Sequence, residues 1–270
     1  DDEPDIRTTV KTVLEANGFK VVIAVNGDDC LKQLKTVKPD LILMGAMTGI
    51  FFLVLFNYVF GNVISSSTGV NYTQFLVPGI IVLTALFGSN QTGLALAEDL
   101  NNGAIDRFRS LPMSQIAVIT GRTLSDILRN LISILMLIAV AYLMGFRFPS
   151  LIAFIGSVLL GIGIGYAFSW INAMFGAGLD SFEAVQMIGM FWLFPLMFVS
   201  NVFTPTEGMN DTLQFLADNS PISVTSEAIR ALSIGAIDTT AIFYSLVWMI
   251  GLTIIFIPLS VRAYQRRMKQ

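Results

Sequence analysis

The stretch FPSLIAFIGSVLLGIGIGYAFSWINAMFGAGL, residues 148–179, contains no Asp, Glu, Lys or Arg. A charged side chain at the bilayer centre costs about 2.5–3.5 kcal/mol even on the lenient insertion scale, so a long charge-free interval marks a membrane span. Residues 41–97, 184–206 and 239–261 are equally free of charge, and a shorter clear stretch covers 130–146. One spanning helix needs roughly 20 residues. The 41–97 interval is too long for one, and its middle, GNVISSSTGVNYTQ (61–74), reads as a turn. Six helices are therefore expected, near 44–64, 76–97, 118–145, 150–174, 184–203 and 239–261. Arg129, close to one end of the third, is placed to snorkel to the interface.

Composition points the same way. Hydrophobic residues make up 54% of the 270 and charged residues 13%, against about 25% charged in a soluble domain. Mean hydropathy is +0.71. The net charge of −3 gives no field that would favour nucleic acid. The chain has no histidine, which removes the commonest general base and metal ligand, and Cys30 is its one cysteine. No catalytic, cofactor-binding or metal-ligating set is expected. The chain opens at Asp1 with no basic segment and short apolar core behind it, which reads as a fragment or processed product.

Six spans put both ends of the membrane unit on one side. With those ends inside, segment 98–129 carries Arg107, Arg109, Arg122 and Arg129, and segment 262–270 carries Arg262, Arg266, Arg267 and Lys269. The opposite segments carry only Arg147 and Arg230. The positive-inside rule selects this orientation. The expected fold class is an all-α polytopic membrane protein with six transmembrane helices and both ends cytoplasmic, preceded by a truncated α/β fragment.

Transport against a gradient needs an energy source. Ion coupling places ionisable groups within the spans, and the centres of all six are uncharged. No phosphate-cradling GxxxxGK[ST] loop occurs in the sequence. If the chain is part of a pump, ATP is bound elsewhere. The run Gly161-Ile162-Gly163-Ile164-Gly165 sits mid-span without the strand or acidic residue that a dinucleotide site requires. Gly161 and Gly165 instead form a small-xxx-small pair for close helix packing. Trp170, Trp192 and Trp248 read as packing or interfacial anchors, and Asn172, Gln186 and Asn201 as weak candidates for a polar path.

The loop EDLNNGAIDRFRSLPMS (98–114) differs from the spans. Ile105, Phe108 and Leu111 recur at i, i+3, i+6 among alternating charges, Asn101 or Asn102 can cap a short helix, and Pro112 can end it. Such a helix suits either a groove on a partner or the headgroup layer.

This loop, with GRTLSDILRN (121–130), resembles the first cytoplasmic loop of ABC-2 type permeases, the daunorubicin-resistance-like exporter subunits. NYVFGNVI (57–64), FPLMFVSNVFTP (194–205) and DTLQFLADNSPISVTSEAIRAL (211–232) are similar to the same family, and the resemblance runs over about 48–267. It implies a homodimer or pseudo-dimer in membrane lipid, bound to two ABC ATPase subunits that hold ATP and Mg²⁺, with this chain binding no cofactor. It implies that Glu98, Asp99, Gly103, Asp106, Arg107, Phe108 and Arg109 form the ATPase-coupling loop. It also implies that 206–236, broken at Pro221, is an outer re-entrant element. The amphipathic helix that the family carries before its first span has no counterpart here.

In that place stands DDEPDIRTTVKTVLEANGFKVVIAVNGDDCLKQLKTVKPDLILM (1–44), which resembles the start of a response-regulator receiver domain. Residues 5–17 and 28–37 read as helices, and 19–25 and 40–44 as strands. In that family an acidic pair such as Asp1 and Asp2 helps to hold Mg²⁺. The acceptor carboxylate would follow Met44, where this chain has Gly45, so the fragment should not accept phosphate. Two domains are expected: 1–44, truncated and non-functional, and 45–270, the six-helix membrane domain. The expected function is the permease subunit of an ABC exporter in a prokaryotic cytoplasmic membrane, moving a drug, lipid or glycan-like substrate. The alternative is a membrane-anchored signalling protein, against which the missing acceptor argues. A membrane enzyme would lack histidine and in-span carboxylates.

Overall fold

The computed structural model describes residues 40–68, 71–101, 115–179 and 181–267. The chain divides into two units, Asp1–Leu43 and Met44–Gln270, and nearly all of the first lies outside the described residues. The receiver-like readings at 5–17, 19–25 and 28–37 lie there too.

The described residues are helical, with no strand among them. Five long helices come first: α1 (Asp40–Thr68), α2 (Tyr72–Asn101), α3 (Gln115–Leu143), α4 (Leu151–Gly178) and α5 (Phe182–Phe198). A 3₁₀ turn (Thr206–Gly208) and two short helices, α6 (Asp211–Asp218) and α7 (Pro221–Ser233), precede the last long helix, α8 (Thr239–Arg267). Residues 40–44, read as a strand, instead open α1. A short apolar run is compatible with either state, and DLILM runs without a break into the apolar segment that follows.

Among the described residues four helical stretches are long and apolar enough to cross a membrane: Tyr72–Leu100, Thr123–Leu143, Leu151–Gly178 and Thr239–Arg267. The apolar parts of α1 (Met47–Gly61) and α5 (Phe182–Phe198) are shorter. The 17 residues of α5 rise about 26 Å, a little less than the roughly 30 Å hydrocarbon core.

Helix ends follow local chemistry. Ser150, Ser181, Asn210 and Ser220 each cap the helix that follows, their side chains accepting backbone N–H groups. Pro221 stands at the first position of α7, where its missing N–H costs nothing. At the end of α3, Gly145 takes φ +95°, and the N–H of Phe146 reaches back to the carbonyl of Ala141 at 3.0 Å. Gly235, at φ +82°, closes α7 by the same pattern.

α4 is the hub of the bundle, packing against α2, α3, α5, α7 and α8. Lipid supplies no hydrophobic force between apolar helices, so close approach by small residues must hold them. A Cβ on Gly161 would lie 2.9 Å from Ile81 of α2 and 3.1 Å from Ile134 of α3. One on Gly165 would lie 2.8 Å from the Asn130 amide nitrogen and 3.1 Å from Ala85. α2 and α4 meet again where a Cβ on Gly93 would lie 2.5 Å from the backbone oxygen of Asn172. α1 joins through aromatic contacts, Phe56 on Phe203 at 4.1 Å between ring centroids and Phe52 on Phe87 at 5.9 Å.

Candidate functional site

Two polar constellations stand out against this apolar bundle, one at each end. At the end bearing Tyr72, α2 is tied to its surroundings by backbone acceptors. The Tyr72 hydroxyl donates to the Phe203 carbonyl at 3.0 Å, and Gln74 Nε2 donates to the Arg147 carbonyl at 3.0 Å. Arg230, from α7, turns inward. Its Nη2 donates to the Asn201 carbonyl at 3.0 Å and its Nε to the Phe75 carbonyl at 3.3 Å, while the guanidinium lies 3.9 Å from the centroid of the Phe75 ring. Burial pulls the Arg230 pKa down to about 10, with Glu227 opposing the fall. Glu227 stays exposed to solvent, yet partial desolvation raises its pKa first; Arg230 lowers it, and Asp218 and Asp238 push it up again. Asp218, Glu227 and Asp238 line a cavity of about 350 Å³ whose wall includes Tyr244 and Trp248.

At the opposite end, α3 carries Thr123, Asp126, Asn130 and Ser133 on one face, at spacings of three and four, and all four are buried. Thr92 of α2 donates its hydroxyl to Asp126, and Arg129 pairs with Asp126 and donates to the Gly88 carbonyl at 3.0 Å. Arg129 therefore does not snorkel: a carboxylate one turn away and a carbonyl of α2 give its charge partners inside the bundle. Asp126 is 3% exposed and lies in the Thr123–Leu143 stretch, so a carboxylate does occur within a candidate span. At the same end Leu96, Leu100, Trp170 and Tyr264 pack together, and Arg267 donates to the Leu179 carbonyl.

Of the loop residues, Glu98 and Asp99 are described. They occupy the last turn of α2, Glu98 exposed and Asp99 half-buried. The helix continues through Asn101, and residues 102–114, where the short capped helix is expected, lie outside the described residues. Gly103, Asp106, Arg107, Phe108 and Arg109 lie outside the described residues. Gly161 and Gly165 face α2 and α3 together, as the distances above define. Asn172 and Asn201 do not line an open path. Asn172 donates to Ser89 at 3.1 Å and to the Phe168 carbonyl at 3.2 Å, and Asn201 accepts from Ser226. Gln186 is exposed and, with Met187, Phe191 and Phe194, lines an apolar groove of about 730 Å³ along α5. Trp170 is buried, Trp192 stacks on Phe168 at 5.5 Å, and Trp248 is exposed. Among the described residues no group of His, Cys, Asp and Glu could hold a metal ion.

Long apolar helices, glycine-mediated crossings and charges gathered towards the ends define a polytopic helical membrane protein. The ABC-2 type transporter family matches residues 30–234, and the chain belongs to it. The daunorubicin resistance ABC transporter permease protein DrrB1 of Streptomyces coeruleorubidus is 33% identical over 229 residues, 84% of this chain and 79% of that protein. The probable doxorubicin resistance ABC transporter permease protein DrrC of Mycobacterium tuberculosis is 26% identical over 223 residues, 80% of this chain and 79% of that protein. The alkaline phosphatase synthesis transcriptional regulatory protein PhoP of Bacillus subtilis is 43% identical over 47 residues, 17% of this chain and 20% of that protein. No solved structure matches the chain. The chain is thus an ABC-2 permease, the membrane subunit of an ABC exporter.

Sequence reasoning missed the Thr92–Asp126–Arg129 cluster and the inward turn of Arg230. The first had a signal, the 3-4-3 spacing of polar residues from Thr123 to Ser133. The second had none, because its acceptors are main-chain carbonyls supplied by distant segments.

Proposed function

We propose that this permease crosses a prokaryotic cytoplasmic membrane six times, with both ends inside, and works as a homodimer with two separate ABC ATPase subunits. Those subunits hold ATP and Mg²⁺, and this chain binds neither. The observation that carries the reading is similarity over most of the chain to permeases named for drug resistance. The four long apolar helices support it, with α1 and α5 as the remaining spans. The segment from Glu98 to Arg109 receives the ATPase. Glu98, exposed in the last turn of α2, lies where the helix dipole disfavours negative charge, and a basic partner surface would relieve this. α1 and α5 carry exposed aromatic and aliphatic residues, among them Phe51, Tyr58, Met187 and Phe191, available to lipid or to a second copy. The substrate is an amphipath of the drug, lipid or glycan-like class.

The test is reconstitution with the ATPase in lipid vesicles, using daunorubicin as the probe named by the first relative. ATP should drive its accumulation, and Asp106→Lys with Arg107→Glu should weaken ATPase association and abolish stimulated hydrolysis. Normal coupling in that double variant removes the loop assignment. External labelling of residues 98–115 in intact cells would overturn the topology.

A further inference from the structure

We propose that Thr92, Asp126 and Arg129 form a clamp that makes α2 and α3 one lever, carrying movement of the loop between them into the helix bundle. The inference rests on the reading of that loop as the ATPase contact.

α2 enters the loop at Asn101 and α3 leaves it at Gln115. Thr92 and Asp126 are nine and eleven residues from these points, about 13 Å and 16 Å along their axes. The clamp thus lies well inside the bundle. The Asp126–Arg129 pair is internal to α3 and by itself joins nothing. The join is made by two cross-helix bonds, from the Thr92 hydroxyl to Asp126 and from Arg129 Nη2 to the Gly88 carbonyl at 3.0 Å. One turn beyond, Asn130 fills the notches left by Gly88 of α2 and Gly165 of α4. A displacement of the α2–α3 pair therefore reaches α4, the hub.

The chemistry argues for transmission rather than for stability. A buried ion pair contributes little net stability against an apolar pair of similar volume, yet breaking it by removing one partner is strongly unfavourable. Packing, through Asn130 in the Gly88 notch, already opposes a slide of α3 against α2. A half-buried guanidinium and a carboxylate in a low dielectric do not tolerate that slide, because each must lose a partner on the other helix. Towards the other end the same seam is apolar, with Ile134, Leu137, Ile138 and Ala141 of α3 all buried. Charge is thus placed where the loop's movement enters.

The test uses the full permease–ATPase complex in lipid vesicles and three variants: Thr92→Val, Thr92→Ser, and Asp126→Leu with Arg129→Leu. The double variant removes both charges together, so neither is left buried alone. Its ATPase stimulation should fall by about tenfold, a size ordinary for coupling between sites, with ATPase association and melting temperature retained. Thr92→Val should fall several-fold and Thr92→Ser should restore the wild-type value. Undiminished stimulation in the double variant overturns the clamp while leaving the loop reading intact. A loss of stimulation that merely tracks a lost melting temperature reduces the cluster to packing and also overturns it. If loop variants leave association and stimulation untouched, the loop reading fails, and the clamp with it.

Discussion

Replacing Arg230 by lysine should damage this protein at least as much as replacing it by methionine. Arg230 makes two hydrogen bonds to main-chain carbonyls, at 3.0 Å to Asn201 and 3.3 Å to Phe75, and lies 3.9 Å above the Phe75 ring. Bonds to a charged group contribute about 1.5–3 kcal/mol each, and a partly desolvated cation–π contact about 1–2 kcal/mol. Together these oppose the cost of burying the charge. Burial, the largest cause of the fall in the Arg230 pKa to about 10, cancels part of that gain, and the balance still favours arginine.

Methionine gives up all three contacts but also escapes the burial cost, so Arg230→Met should cost about 2 kcal/mol. Lysine keeps the charge and its burial cost. Its single ammonium cannot span the two carbonyls that the guanidinium fork bridges, and it cannot lie flat on Phe75. Arg230→Lys should therefore be the less stable of the two, by about 1 kcal/mol. Equilibrium denaturation in lipid nanodiscs gives the ranking directly. Wild-type stability in Arg230→Lys would show that charge near the interface suffices and that the fork geometry does not matter. A neutral or stabilising Arg230→Met would show that burial outweighs all three contacts.

Glu227 gives a pH signature. Its folded pKa is raised above 4.5, first by partial desolvation, so in the window above 4.5 the folded protein binds more protons than the unfolded chain. Stability then falls as pH rises through that window and is fully present below it; Glu227→Gln should flatten the fall of melting temperature with pH above about 4.5. Gly93→Ala puts a methyl group 2.5 Å from the Asn172 oxygen; the backbone cannot yield there, so α2 and α4 must part, at about 1–3 kcal/mol by denaturation. Gly145→Ala meets nothing within 4 Å and changes only the backbone at φ +95°, so it should cost about 1–2 kcal/mol of strain with the packing unaltered.

The spans were legible because lipid applies one strong rule, that charge is excluded, and 148–179 and 239–261 obey it along their whole length. The Gly161–Gly165 pair was legible as a spacing, though not which helices it meets. Asp40–Met44 misled because five apolar-leaning residues carry no period of their own, and the neighbour that decides their state, the rest of α1, lies on one side only. For Arg129 the sequence carries only its depth. Depth says how far a charge must reach for water, but the choice between snorkelling and turning inward depends on acceptors, and these come from residue 88 and from Asp126. The loop assignment rested on resemblance, and most of its residues fall outside the described part, so geometry adds only the placement of Glu98 and Asp99.

Arg129 and Arg230 lie near opposite ends of the bundle and come from different helices, yet both donate to carbonyls of α2, at Gly88 and Phe75. These two carbonyls are 13 positions apart, about 20 Å along the axis. α2 is also the most enclosed of the four helices long and apolar enough to cross a membrane, 78% of its apolar stretch being buried against 11% for α8. A helix pinned at two points by half-buried guanidinium groups cannot rotate about its axis without straining both contacts. Sliding is resisted for the same reason. A tilt in which α2 moved with α3 at one end and pivoted near Arg230 at the other would preserve both. Loosening Arg230 should then do more than lower stability: it should also reduce ATPase stimulation in protein that remains folded, although Arg230 lies at the far end from the loop.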